Sequence, residues 1–323
     1  MRYLETNGVK LSRIGLGTWQ FGSKDWGYGT DYAEGEAGRI VARALELGVN
    51  LIDTAELYGR GNSETIVGRA IAGHRDEVFV ASKFAPIVPT ASLINKHGRK
   101  SAERLGINRI DLYQLHWPNP VVPIARQMEG IRRLQRAGIV DHAGVSNYSL
   151  SRWKAAEAAL GTPVLSNQVQ YSLAVRKPDQ ELVPYAAAND RIVIAYSPLA
   201  KGLLSGRYDA TNLPKNSARR NDPLFVPENL ARAHDLIETL RSIAKAHDAT
   251  AAQVALAWLV TRPNVVAIPG ASSVAQLEAN AAAADLDLSD SDVEELTAAS
   301  DAFRPLGTGT AYREIAKRRI TRK

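Results

Sequence analysis

A repeat of about thirty residues constrains the fold of this chain more than any other feature. Short apolar segments end at Asp53, Lys83, His116 and Ser146, at successive spacings of 30, 33 and 30 residues, and segments with helical periodicity alternate with them. This spacing is the length of one unit of strand, loop, helix and loop. Eight strand-like segments occur, at 14–17, 49–53, 78–83, 110–116, 143–146, 164–170, 192–196 and 265–268. The sequence therefore predicts an α/β fold, a (β/α)8 TIM barrel.

Helical periodicity indicates helices at 34–47, 64–72, 124–137, 150–160, 230–246, 251–260 and 274–284. Residues 90–105 are only weakly helical and contain Gly98, so the third barrel helix is expected to be irregular. An Asn7-Gly8 turn between two short apolar segments predicts an N-terminal hairpin that closes the barrel floor. Residues 198–229 form a long loop after strand 7, and loops of that length are usually functional. We expect one domain, 1–323, with a basic tail at 313–323.

A doubly wound sheet is the rival architecture, because it also alternates strands with helices. Such a sheet that binds a dinucleotide opens with Gly-x-Gly-x-x-Gly after its first strand. Gly15-x-Gly17 is followed by Gln20 in place of the last glycine, and Gly59-x-Gly61 is followed by Glu64. The sequence contains neither a Walker A motif nor His-Glu-x-x-His. The barrel is therefore the preferred interpretation.

Composition narrows the chemistry. A chain of 323 residues with 45% hydrophobic residues can fill a large core. No apolar run reaches 18 residues and no apolar segment follows Arg2, so we expect a cytoplasmic protein without a membrane span or secretory signal. The absence of cysteine excludes disulfides, thiolate catalysis and cysteine-ligated metal sites. Catalysis must use oxygen and nitrogen groups, and no metal site is predicted.

The formal net charge of +6 raises the question of a nucleic-acid partner. Residues 313–323 carry six basic residues and Glu314, a net charge of +5, so the rest of the chain carries only +1. We interpret the tail as a solvated or frayed end, with an acidic partner as the alternative. No nucleic-acid partner is expected.

Polar side chains stand where the predicted strands end. In a barrel the reacting groups lie at these carboxyl ends, and Asp53, Lys83 and His116 each end a strand while Tyr58 follows the first. Each residue has a structural alternative: a loop cap, a surface cation, a core histidine and a half-buried ring, respectively. Together they favour a site in which Asp53 pairs with Lys83 and Lys83 lowers the Tyr58 pKa toward neutrality. Tyr58 is then a candidate general acid, beside the His116 imidazole.

Several longer motifs include these residues. They are Leu45–Gly59 with Ser63, Glu64 and Gly68, then Asp111–Pro118, Gly144–Tyr148, Asn167–Ser172, Ala195–Gly202 and Ile268–Ser272. With these motifs in this order along the chain, the sequence resembles the aldo-keto reductase superfamily. The most similar pattern is that of the branch that contains bacterial oxidoreductases and potassium-channel β subunits. The resemblance implies that NADPH-dependent hydride transfer reduces an aldehyde or ketone to an alcohol.

The resemblance also implies a role for each residue of the predicted site. Tyr58 would protonate the carbonyl oxygen, Lys83 would lower its pKa, Asp53 would hold Lys83, and His116 would orient the carbonyl. The nicotinamide cofactor would be bound without a Rossmann fold, which agrees with the missing glycine motif.

A set of cofactor contacts follows from the same resemblance. The implied residues are Ser146, Asn147 and Gln168 at the carboxamide, Tyr196 on the nicotinamide ring, Ser197, Pro198, Leu199 and Gly202 at the pyrophosphate, Arg207 at the phosphates, and Gly270, Ser272, Gln276 and Asn280 at the adenosine. Arg219 and Arg220 are either further phosphate contacts or solvated loop residues. The segment after Pro269 lacks the cation that other branches place there. NADPH is the expected cofactor, and NADH is the alternative.

Aromatic residues follow several strand ends. Trp19, Trp26, Phe84 and Trp117 either line the substrate cleft or serve in packing. If they line the cleft, they favour an apolar or aromatic small-molecule carbonyl substrate over a phosphorylated sugar. The alternative function is a cofactor-sensing binding subunit with weak reductase activity. The intact set Asp53, Tyr58, Lys83 and His116 favours an enzyme over this alternative.

Overall fold

Eight parallel strands form the centre of the molecule. The computed structural model describes residues 1–21, 31–85, 88–214 and 217–321. The strands pair in chain order and in parallel register. They are β3 (Leu16–Gly17), β4 (Leu51–Asp53), β5 (Phe79–Phe84), β6 (Ile110–Leu115), β7 (Val140–Ser146), β8 (Val164–Gln170), β9 (Ile192–Tyr196) and β10 (Val265–Ala267). All eight predicted strands are confirmed within a few residues.

The first and last strands meet and curl the sheet into a barrel. Ile14 forms a parallel bridge with Ala267 and Gly17 forms one with Gly270. The Gly15 amide donates to the Ala267 carbonyl at 2.8 Å, and the Gly17 amide donates to the Pro269 carbonyl at 3.0 Å. A Cβ on Gly17 would lie 2.7 Å from the Ile268 carbonyl oxygen, so this junction requires glycine. The predicted (β/α)8 architecture is confirmed.

An antiparallel hairpin covers the floor of the barrel, as expected. It consists of β1 (Tyr3–Thr6) and β2 (Val9–Ser12). Asn7 and Gly8 have φ values of 46° and 73°, the left-handed pair that a tight hairpin turn needs. Leu4 and Leu11 are buried with apolar side chains of the barrel interior. The hairpin therefore excludes water from the end of the barrel opposite the strand termini.

Helices follow the strands along the chain, and most of them contribute apolar side chains to one large hydrophobic cluster around the sheet. They are α1 (Asp31–Glu46), α2 (Asn62–Ala70), α3 (Ala91–Leu105), α4 (Ile124–Arg136), α5 (Leu150–Leu160), α6 (Pro178–Ala188), α7 (Ser217–Arg220), α8 (Pro227–Arg232), α9 (His234–Ala246), α10 (Ala251–Val260), α11 (Val274–Ala282), α12 (Asp290–Ala302) and α13 (Thr308–Thr321). In the described residues no helix combines the length and apolar character that a membrane crossing requires.

The third barrel helix corrects one expectation, because α3 is regular over fifteen residues. Thr90 caps its N-terminus by accepting from the Leu93 amide, and Gly106 ends it with φ 64°. Gly98 faces α4, where a Cβ would lie 2.5 Å from Leu134 Cδ1. The glycine that suggested irregularity instead allows two helices to approach closely.

The C-terminal tail also differs from the expectation of a solvated or frayed end. Residues up to 321 continue α13, and Ala311 and Ile315 are buried against Val226 of the long loop. Arg318 Nη2 donates to both carboxylate oxygens of Glu228, at 2.9 and 2.7 Å. Apolar residues four positions apart give this basic helix one buried side, which composition alone does not reveal.

The long loop after β9 is present and contains short elements of its own. A 3-10 segment covers Ala200–Ser205, α7 and a second 3-10 turn (Pro223–Phe225) follow, and α8 begins at Pro227. The helix predicted at 230–246 is two helices, because the chain bends at Ala233 between α8 and α9.

Candidate active site

The four residues predicted at the strand ends come together at the open mouth of the barrel. Asp53 ends β4, Lys83 is the last residue but one of β5, and His116 follows β6. Tyr58 begins a 3-10 turn after β4. Lys83 Nζ lies 2.6 Å from Asp53 Oδ1 and 3.1 Å from Tyr58 Oη, and it also donates to the Thr54 carbonyl at 2.8 Å. The predicted pairing of Asp53 with Lys83 is therefore present.

Burial governs the protonation of this cluster. Lys83 is fully buried and Asp53 is 2% exposed. Burial opposes the charged form of Lys83, but Asp53 and Tyr58 outweigh it and raise the Lys83 pKa. Burial raises the pKa of Tyr58, and the Lys83 charge offsets this rise only in part. Lys83 acts on the Tyr58 pKa in the expected direction, but burial and Asp53 outweigh it, so the expected net shift toward neutrality is corrected. Tyr58 is therefore a protonated phenol beside an ammonium at neutral pH.

His116 is a neutral imidazole. Burial, assisted by the Lys83 charge, lowers its pKa to about 3. Its ring stands edge-on to Tyr58 with the ring centroids 6.0 Å apart. Nδ1 is buried and has no hydrogen-bond partner within the described part of the chain. A neutral imidazole carries one N–H group, so His116 can donate a single hydrogen bond at the mouth.

A chain of hydrogen bonds joins the implied carboxamide contacts to this cluster. Gln168 Nε2 donates to Asp53 Oδ2 at 2.7 Å, and Ser146 Oγ donates to the Gln168 carbonyl at 2.8 Å. Asn147 Nδ2 donates to Ser146 Oγ, and Tyr196 Oη donates to Asn147 Oδ1 at 2.9 Å. These residues form a continuous polar strip beside Asp53. The Gln168–Asp53 bond was not predicted, since it depends on rotamers inside the barrel.

The segment after β9 has an unusual backbone. Ser197, Ala200 and Lys201 have φ values of 49°, 48° and 57°, and Gly202 has φ 100°. Ala200, Lys201 and Gly202 are consecutive, and left-handed turns of this kind can present amide groups to an anion. The Ala200 and Gly202 amides donate to the Ser197 and Leu199 carbonyls within the turn, at 2.9 and 2.8 Å. Arg219 Nε donates to the Lys201 carbonyl at 2.6 Å, which fixes this cation beside the same turn. Strained non-glycine residues are common where a ligand binds.

The remaining residues of the implied phosphate set differ in exposure. Pro198 is buried and Leu199 is half-buried. Arg207 and Arg220 are exposed. Of the three arginines, Arg219 is the one that the structure attaches to the turn.

The four residues implied at the adenosine end also form one cluster. Ser272 donates from its amide and its hydroxyl to Gln276 Oε1, at 2.8 and 2.9 Å, and Asn280 Nδ2 donates to the Gly270 carbonyl at 3.3 Å. Gln20 Nε2 donates to the Ala271 carbonyl at 2.6 Å and ties this segment to the loop after β3. Gln20 was not predicted as a site residue, although it takes the place of the last glycine in the pattern that begins at Gly15-x-Gly17.

Exposed apolar side chains surround the mouth. Trp19 and Trp117 are about half exposed, as are Leu57 and Val88, and Val121 is 82% exposed. The last three were not singled out from the sequence, although each lies in a loop that follows a strand end. Phe84 is buried with its ring edge-on to His97, so it lies beneath the mouth. Trp26 lies outside the described residues.

A parallel barrel whose strand ends gather a phenol, an ammonium and an imidazole defines a barrel enzyme with its site at the carboxyl face. Comparison with known proteins then identifies the family. The model of the aldo/keto reductase family matches residues 13–301. The chain belongs to this family of oxidoreductases, which confirms the resemblance seen in its motifs.

Two relatives and two solved structures illustrate the family relationship. An uncharacterised oxidoreductase of Mycobacterium tuberculosis is 55% identical over the full length of both chains. An NADH-specific methylglyoxal reductase of Escherichia coli is 31% identical over 90% of this chain and 94% of its own. A glycerol dehydrogenase of Gluconobacter oxydans superposes with a TM-score of 0.85 at 28% identity, over 94% and 97% of the two chains. An aldo-keto reductase of Klebsiella pneumoniae, solved with NADPH, gives 0.75 at 29%, over 94% and 96%.

Proposed function

We propose that this protein reduces aldehydes or ketones to alcohols with NADPH, and that NADH is the alternative cofactor. The observation that carries the proposal is Lys83 Nζ, which lies between Asp53 Oδ1 and Tyr58 Oη in a buried site. Related proteins use or contain either cofactor: one relative is named as NADH-specific, and one solved structure contains NADPH.

The residues of the mouth fit a nicotinamide dinucleotide. The polar strip Ser146, Asn147 and Gln168 has amide and hydroxyl groups for a carboxamide, next to the half-buried Tyr196 ring. The left-handed turn at 197–202 suits phosphates, and the Ser272–Gln276 cluster would hold the adenosine end. When bound, this cofactor supplies a hydride to the carbonyl carbon.

Proton transfer is the task of this chain's own residues. Tyr58 donates its phenolic proton to the carbonyl oxygen as negative charge develops there. The Lys83 ammonium, which Asp53 and the Thr54 carbonyl hold in place, stabilises the phenolate that remains. His116 donates one hydrogen bond to the same oxygen and so orients the carbonyl. In alcohol oxidation the Tyr58 phenolate would accept the proton.

The apolar rim at the mouth favours substrates with an apolar or aromatic group. Trp19, Leu57, Val88, Trp117 and Val121 expose large apolar surfaces within the described part of the chain, and such surfaces mark binding sites. A phosphorylated sugar would find little there to contact.

Steady-state oxidation of NADPH against a panel of aldehydes and ketones tests this function. Tyr58→Phe removes the acid and is expected to lower kcat by roughly 10²-fold or more, with cofactor affinity by fluorescence titration unchanged. Tyr148→Phe is the matched control, because the Tyr148 hydroxyl bonds Gln127 away from the mouth. Undiminished turnover of the Tyr58 variant would refute the assigned acid. Tight cofactor binding without turnover of any carbonyl would instead favour a cofactor-sensing subunit.

A further inference from the structure

A second set of buried charges lies directly behind the site. Glu56 and Glu64 flank Tyr58 along the chain, and both side chains reach β5 or its end. Glu64 Oε1 accepts from Ser82 Oγ at 2.5 Å, and Glu56 Oε1 accepts from the Ala85 amide at 2.5 Å. Ser82 and Ala85 stand on either side of Lys83. Two carboxylates thus connect the segment that carries Tyr58 with the segment that carries Lys83.

Helix α3 provides the partners of these carboxylates. His97 Nδ1 lies 2.7 Å from Glu56 Oε2, and Arg104 Nε donates to Glu64 Oε2 at 2.6 Å. Arg104 Nη2 also lies 3.8 Å from Glu56 Oε2. His97 and Arg104 are two turns apart, so they lie on one side of the helix. The Arg104 side chain additionally covers Gly61, where a Cβ would lie 2.7 Å from Arg104 Cδ.

Burial of these carboxylates costs desolvation free energy, which suggests that they have a role other than stabilising the fold. Glu64 is fully buried and the Glu56 side chain is 9% exposed. Apolar residues usually stabilise such a position as well as a buried ion pair does. Hydrogen bonds of fixed direction do what apolar packing cannot, because they set the relative position of two backbone segments.

We propose that Glu56 is a positioning residue that holds Tyr58 against Lys83, and that His97 holds Glu56 in turn. The catalytic consequence rests on the proposed function. Its basis is the hydrogen bond from the Ala85 amide to the Glu56 carboxylate. Glu56 is two residues from Tyr58 along the chain, and Ala85 is two residues from Lys83. A shift of about 1 Å between acid and cation is enough to slow a reaction by as much as 10²-fold.

Glu56→Leu and Glu56→Gln test the proposal as a pair. Leucine removes the acceptor for the Ala85 amide, whereas glutamine keeps an oxygen there. We expect kcat to fall about tenfold or more in the leucine variant and to recover to within about threefold in the glutamine variant, with the KM for NADPH unchanged. Because Lys83 lowers the Tyr58 pKa, a looser contact should also move the alkaline limb of the pH profile to higher pH.

The 13Cζ chemical shift of Tyr58 gives a readout that needs no turnover. Tyrosine-labelled protein at pH 8 reports the hydrogen bond from Lys83, and the Tyr58→Phe spectrum identifies the resonance. The shift should change in Glu56→Leu and return in Glu56→Gln. If wild-type protein turns over no carbonyl but the shift behaves in this way, the proposed function fails and the positioning role stands.

His97→Leu keeps the test valid if Glu56→Leu does not fold. It should lower kcat and move the Tyr58 resonance in the same direction as Glu56→Leu. The matched control is His74→Leu, since His74 forms an exposed pair of the same kind with Glu77 at 2.8 Å. Both readouts should match wild type in that control. The proposal is overturned if kcat falls in the position 56 and 97 variants while the Tyr58 resonance and the pH profile stay unchanged, or if neither kcat nor resonance changes.

Discussion

Replacing Lys83 by methionine separates the two roles of the buried ion pair. The variant keeps the length of the side chain and removes the cation that lies 2.6 Å from Asp53 Oδ1. Asp53, 2% exposed, is then a buried carboxylate whose remaining described side-chain donor is Gln168 Nε2, at 2.7 Å. Removing one partner of a buried pair costs about 3–5 kcal/mol, because the other charge is left uncompensated.

The double variant Asp53→Asn/Lys83→Met removes both charges. Replacing a buried pair as a whole is often neutral, so its stability should return to within about 1–2 kcal/mol of wild type. At roughly 2 °C per kcal/mol for a chain of this size, Lys83→Met should lower the Tm by about 6–10 °C and the double variant by about 2–4 °C. Activity should not return, because Tyr58 lacks its cation in both variants.

Thermal unfolding followed by circular dichroism and NADPH oxidation at fixed substrate check the two expectations together. Equal destabilisation of the single and double variants would refute the argument that the uncompensated Asp53 charge is the cause. Wild-type turnover in the double variant would refute the role of Lys83 in supporting Tyr58.

Two further predictions concern stability. Gly98→Ala should destabilise the protein by about 1–2 kcal/mol, because the new methyl group meets the fully buried Leu134. Gly38→Ala in α1, with open space around its Cβ, should stabilise the protein by about 0.5–1 kcal/mol. Urea unfolding measures both changes, and a Gly98→Ala protein as stable as wild type would contradict the close helix contact. His116, with its pKa lowered to about 3, is neutral in the folded protein, so the unfolded chain takes up a proton first as pH falls below the usual value of 6.5. Stability should therefore fall from pH 6.5 toward 3, by about 2 kcal/mol at pH 5, and His116→Gln should flatten this dependence in thermal melts at pH 5 and 7.5.

The barrel was predictable from the sequence because short strand-like segments alternate with helical segments, and four successive strands end about thirty residues apart. Two of the helices that were missed, α6 and α12, differ in the local signals that they carry. Helix α6 contains Pro184 in its interior, which argues against a helix, and it begins with Pro178 at its first position. Helix α12 begins with a capping box formed by Ser289 and Asp292, a signal that was available in the sequence.

The candidate site was predictable as far as backbone topology determines it. Asp53 and Lys83 end neighbouring strands of a parallel sheet, so their side chains must emerge at one edge. The direction in which the Tyr58 pKa shifts was not predictable, since it depends on whether burial outweighs the effect of the nearby Lys83 charge. The contacts of Thr54, Gln168 and Glu56 depend on rotamers and on a carbonyl direction, which residue types do not specify.

The junction between β3 and β10 determines when this chain can finish folding. Besides the backbone bridges, Arg13 Nη2 donates to the Arg262 carbonyl at 3.0 Å, across a separation of 249 residues. During synthesis β3 leaves the ribosome long before its partner β10 has been made, so the growing sheet has two unpaired edges. Ring closure is therefore a late, long-range event that makes folding slow. Chains that terminate before residue 265 lack β10, and their unpaired edges would favour aggregation.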